Sequence, residues 1–89
     1  MPVEERFQNL VNRFGLKKSG ANPFDAELLD ANYAGASHGE KVSIAFLLNV
    51  WNPGHEWKSG KVDVMDALGV WDNDQRSAFC DWAREPWWP

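Results

Sequence analysis

Residues 37–54 read SHGEKVSIAFLLNVWNPG, and this stretch decides the fold. Ser37 followed three residues later by Glu40 is a capping box. The serine hydroxyl can accept from the Glu40 amide while the glutamate reaches back to the Ser37 amide. The body that follows, KVSIAFLLNVWN, is apolar almost all round. Wound at about 100° per residue, Val42, Phe46 and Val50 take one side, while Ile44, Leu48 and Trp51 take others. A helix that is apolar on every side belongs at the centre of a domain. The β-branched residues would also permit a strand over IAFLLNVW, but the capping box and the length of the run favour a helix. Asn52-Pro53-Gly54 ends it.

Upstream, Val3, Phe7, Leu10, Val11 and Phe14 form one stripe at helical spacing. Pro2, Glu4 and Glu5 suit the start of that helix and Arg13 its end. Gly15 is placed as the residue just past its C-terminus, with Leu16 folding back on the last turn. Asn22-Pro23-Phe24-Asp25 reads as a cap, a first-turn proline and an acid at the third position. A second helix is therefore predicted from about Pro23 to Ala34, stopped by Gly35. Phe24, Leu28 and Ala31 would face inward, with Leu29 and Tyr33 well around from them.

Downstream, NPGHEWKSGK is a loop of about ten residues, long for a compact helical domain. Trp57 is read as its single anchor. Asp63 caps a short helix, VMDALG, with Val64, Ala67 and Leu68 inward and Gly69 at its end. Asp72 and Gln75 form a second capping box, opening a last helix whose inward stripe is Ala78, Phe79, Trp82 and Ala83, with Cys80 at the margin as a small filler. Pro86 stops it. The fold class predicted is all-α: one compact domain over residues 1–89, about five helices around a central one, with a Trp-rich C-terminal end.

A chain of 89 residues buries only about two thirds of its unfolded surface, so its core must be dense. Six Trp, five Phe and one Tyr meet that need. Cys80 is the only cysteine and can form no internal disulfide, which suits a reducing compartment. No apolar run approaches the roughly 20 residues of a membrane span. The start, MPVEERF, is acidic where a signal peptide is basic. The expected location is cytoplasmic, with no membrane association.

Several strings imitate known sites. Residues 86–89 spell PWWP, the name of a chromatin-reader β-barrel in which strands follow the tetrapeptide. None is patterned here, so Trp87 and Trp88 are read as a lid over the core. Asp72-Asn73-Asp74 opens like a calcium loop, but Arg76 stands where an oxygen ligand belongs and Ser77 where glycine is required. His38 and His55 have no second ligand at metal-binding spacing. Arg76 and Arg84 flank Cys80 one turn away on each side, without making it a nucleophile. No metal, cofactor or catalytic residue is expected.

The net charge is −4, and residues 62–89 hold six carboxylates against two arginines. The last two helices resemble a helix-turn-helix in outline. The would-be recognition helix carries Asp74, Asp81 and Glu85, which would repel phosphates. Nucleic acid is thereby disfavoured as a partner. The stretch Phe46–Asp72, with FLLNVWN and VDVMDALGVWD, resembles a pattern in small proteins of phages, plasmids and integrated elements. That resemblance covers about a third of the chain and implies a mobile-element context with no residue-level role.

All six tryptophans lie between Trp51 and Trp88. Trp51, Trp71 and Trp82 fall on helical or junction positions and are read as core. Trp57, Trp87 and Trp88 fall in a loop and a tail, beside acids, which is the composition of an interface hot spot. The function this favours is non-enzymatic recognition of another protein through Trp57, Asp74, Asp81, Glu85, Trp87 and Trp88. An alternative is a mobile-element inhibitor, of the anti-restriction or anti-CRISPR kind, that offers carboxylates in place of phosphates to a host nuclease or nucleic-acid-binding complex. A third is a small enzyme whose site gathers His55, Glu56 and Cys80.

Overall fold

A computed structural model describes residues 3–89. Among them are five α-helices: α1 (Val3–Arg13), α2 (Ala26–Ala31), α3 (His38–Trp51), α4 (Val64–Val70) and α5 (Asn73–Arg84), with a 3-10 turn at Tyr33–Gly35 after α2. Pro2, read as a first-turn proline, lies outside the described residues. The predicted all-α class holds, and the described residues contain no strand, only an isolated bridge between Ala21 and Phe24.

The centre is α3. Every residue from Val42 to Leu48 is buried, and Val50 with them. Its capping box forms as read: Ser37 Oγ accepts from the Glu40 amide at 3.3 Å, and Glu40 Oε1 from the Ser37 amide at 2.9 Å. Those bonds to Ser37 hold the Glu40 carboxyl below its usual range. Helix α1 lays Phe7, Leu10 and Val11 into the core, and Phe14 follows just past its end. Gly15, at φ +64°, turns the chain out of α1, and Leu16 packs back on the core.

A polar group sits inside this core. Ser43 is fully buried on α3, and its hydroxyl donates to the Gly39 carbonyl at 3.0 Å. The same oxygen accepts the indole N–H of Trp71 at 2.9 Å. Trp71 is 2% exposed and packs on Phe14, Phe46 and Phe79. It stands between α4 and α5 and fixes where both lie against α3.

This anchoring accounts for one departure from the sequence reading. Gly69 does not end α4; the helix runs through it to Val70. The chain leaves helical geometry at Trp71, whose backbone is extended while its ring enters the core. Ala67 points inward as predicted, but Val64 is exposed. On α5 the box between Asp72 and Gln75 forms, Ala78 is buried and Phe79 and Trp82 are half-buried, while Ala83 and Cys80 face solvent. Cys80 is therefore not core filler.

Helix α2 departs further. It begins at Ala26, not Pro23, and its cap is Asp25, whose carboxylate accepts from the Leu28 amide. The reason lies on α1. Gln8 donates to the Ala21 carbonyl at 2.7 Å and accepts the Phe24 amide at 2.7 Å, which holds residues 21–24 as a turn. The later start rotates the inward face. Leu29 is fully buried, and Leu28 and Ala31, predicted inward, are exposed. Gly20 makes this close packing possible: at φ +97°, a Cβ there would lie 2.5 Å from the Leu29 amide nitrogen.

The Ser43–Trp71 bond yields a measurable outcome. Ser43→Ala leaves a buried indole N–H without an acceptor and should cost about 1–3 kcal/mol in chemical denaturation. In a Trp71→Phe background the same change should cost distinctly less, because no donor is orphaned; equal costs in both backgrounds would contradict this role.

Candidate functional site

The tryptophans read as an interface lie at two separate places. Trp57 belongs to the long loop after α3. Its indole donates to the Asn52 carbonyl at 3.1 Å, and its ring lies tilted against His55 at 4.2 Å between centroids. The loop has further ties. Asp30, buried on α2, accepts the backbone amides of Lys58 and Ser59 at 3.0 and 3.2 Å. Asn49 donates to the carbonyls of Ala45 and Gly60, both at 2.8 Å. The half-buried Trp57 is thus one of several pins, not the sole anchor.

Trp87 and Trp88 lie together where α5 returns beside α1. Trp82 on α5 donates its indole N–H to the Trp87 carbonyl at 2.8 Å, which holds the tail against the helix. Trp87 is half-buried, edge-on to Phe7, with the Arg6 guanidinium 4.1 Å above its ring. It belongs to the body of the domain. Trp88 is different. It stands edge-on to Trp82 at 5.6 Å and is 55% exposed. It is a large apolar ring that rests on one neighbour and is otherwise left in water.

Beside these rings a hollow of about 220 Å³ runs between α1 and α5. Leu10 and Ala78 contribute apolar surface, Trp82 and Trp87 one end, and Arg6, Arg13 and Asp81 the charged rim. Asp81 bonds Arg13 at 2.9 Å and lies 3.9 Å from Arg84. A second hollow, about 290 Å³, takes in His55, Glu56, Trp57, Asn49 and Lys61. Cys80 is exposed on α5 and does not line it, so the three residues weighed for an enzyme are not gathered. No cluster of His, Cys, Asp or Glu among the described residues could hold a metal.

The acidic character of residues 62–89 also changes in three dimensions. Asp63 and Asp72 cap helices, Asp66 holds His38, and Asp81 faces two arginines. Asp74 and Glu85 are exposed, and neither forms an ion pair among the described residues. Arg6 and Arg13 went unmarked in the sequence as site residues. They come from α1, at the far end of the chain, and only the packing of α1 on α5 brings them to the tryptophans. Comparison with protein-family models, curated proteins and solved structures gives no match.

The two neighbouring tail tryptophans should separate in a stability experiment. Trp87→Ala removes ring contacts with Phe7 and Arg6 and should lower stability by about 1–3 kcal/mol, given its half-buried state. Trp88→Ala should change it by less than about 1 kcal/mol. Urea denaturation followed by far-UV circular dichroism measures both, and a reversed order would contradict the assignment of Trp87 to the body and Trp88 to the surface.

Proposed function

We propose that this domain is a non-enzymatic module that recognises another protein through the face made by α1, α5 and the C-terminal tail. The observation that carries the reading is Trp88. An aromatic ring that stays largely exposed while resting on a half-buried neighbour has a large apolar area to offer and only two side-chain torsions to order on binding. Tryptophan is among the residues most enriched at energetic hot spots. The adjoining hollow supplies a recess, and its rim supplies charges of both signs from Arg6, Arg13 and Asp81. Trp57 is not part of this face as we draw it, because it serves the long loop. Asp74 and Glu85 are exposed and do not line the hollow.

The phosphate-mimic alternative draws less support. Mimicry needs carboxylates free to meet a basic partner, and most of those in residues 62–89 are already used as caps or ion pairs. An enzymatic role for His55 and Glu56 has no nucleophile in the same hollow to support it.

Salt and one substitution distinguish the readings. Immobilised wild-type protein and the Trp88→Ala variant are compared for what each retains from host lysate as ionic strength rises. A tryptophan-centred interface predicts a protein retained by the wild type, lost with Trp88→Ala, and little affected by salt. Retention that survives Trp88→Ala but falls steeply with salt would favour the phosphate mimic instead.

A further inference from the structure

The hollow of about 220 Å³ between α1 and α5 carries an unequal set of charges. Arg6, Arg13 and Asp81 are the charged residues that line it, two cations to one anion in a chain whose net charge is −4. The single carboxylate is already shared. One Asp81 oxygen lies 2.9 Å from Arg13, and the other lies 3.9 Å from Arg84. Asp74 lines a different hollow with Arg13 and forms no ion pair with it among the described residues.

Arg6 is the cation left over. It is exposed, its guanidinium lies 4.1 Å from the centre of the Trp87 ring, and it forms no ion pair among the described residues. A guanidinium laid on an aromatic face keeps the N–H donors in its own plane available to a carboxylate, which it can grip by two parallel bonds. The recess beside it is apolar. Leu10 and Ala78 are buried at its floor, and Trp82 and Trp87 are half-buried at one end. Trp88, 55% exposed, stands edge-on to Trp82.

We propose that the occupant of this face is an acidic segment of a partner protein, in which an aspartate or glutamate adjoins an apolar side chain. The carboxylate meets Arg6, and the apolar side chain enters the recess against Leu10 and Trp82. The proposal rests on the protein-recognition reading and names the chemistry of the partner. The hollow is smaller than the roughly 300–1,000 Å³ of sites that take whole drug-sized ligands, which suits one side chain of a larger partner. Its excess of positive charge, set in an acidic molecule, is complementary to an acidic group at this one spot. A basic segment would find only Asp81, which Arg13 already holds. A nucleic-acid strand is anionic too, but the net charge of −4 repels its run of phosphates. One ion pair adds only a shallow dependence on salt, unlike the steep fall of a phosphate mimic.

The test is a titration of the full chain, followed by amide and indole chemical shifts, with end-blocked peptides. The probes are Asp-Leu-Asp-Leu, its neutral counterpart Asn-Leu-Asn-Leu and the basic Lys-Leu-Lys-Leu. Saturable shifts at Arg6, Trp82 and Trp88 are expected, about ten-fold tighter with the acidic peptide than with the neutral one, as a hydrogen-bonded charge pair provides. Arg6→Gln, at an exposed position, should erase that preference and leave the affinity for the neutral peptide largely unaltered. Asp81→Asn, also exposed, should act in the opposite direction: it releases Arg13 and Arg84 and should strengthen binding of the acidic peptide alone. Equal affinity for the acidic and neutral peptides, a preference that survives Arg6→Gln, no saturable shift with any peptide, or shifts with single-stranded oligodeoxythymidine in place of the peptide would overturn the proposal. The lysate experiment separates this outcome from failure of the recognition reading. A protein lost with Trp88→Ala but retained by Arg6→Gln leaves the face an interface without a preference for acid; the absence of any Trp88-dependent retention removes the reading itself.

Discussion

The structure depends on one helix having no outer face. Because α3 is buried on nearly every side, each other element must find a place on it, and a polar residue within it must be satisfied internally. Ser43 meets that condition by bonding Gly39 within α3 and Trp71 from outside it. A hydrogen bond in so dry a place is directional where hydrophobic contact is not. It therefore sets the position of the α4–α5 junction, and Phe14, Phe46 and Phe79 close around the ring it holds.

Side chains acting at long range then organise the connections. Gln8 holds the turn before α2, Asp30 and Asn49 hold the loop after α3, and Gln75 donates to the Phe14 carbonyl at the end of α1. Each takes backbone groups that no helix satisfies. A segment of about ten residues thereby stays ordered without secondary structure of its own. The face where α5 returns to α1 follows from the same kind of packing.

Charge is the property most altered by folding. A count of residues 62–89 describes an acidic segment, yet most of its carboxylates are used within the fold as caps or ion pairs. Part of the positive charge that meets it comes from the other end of the chain: Arg13 bonds Asp81, and Arg6 lies over the Trp87 ring. Surface potential depends on which charges meet, and composition along the chain does not carry that information.

What the sequence determined by itself was local. The stripe of α1 from Phe7 to Phe14, though not the exposed Val3, the all-round apolar run of α3, both capping boxes and the turn at Gly15 are set by spacings of three or four residues, which a linear reading contains. The core role of Trp71 was equally legible. What only the tertiary structure decided was non-local. The start of α2 shifted to Ala26 because Gln8, on another helix, occupies the preceding turn, and the shift exchanged Leu28 for Leu29 in the core. The end of α4 was set by where Trp71 is bound, not by Gly69. Trp57, Trp87 and Trp88 looked alike as loop and tail residues, and contacts with Asn52, Phe7 and Trp82 made them different. Helix caps and periodicity are written within one turn of backbone; exposure and charge pairing depend on residues that meet only when the chain has closed on itself.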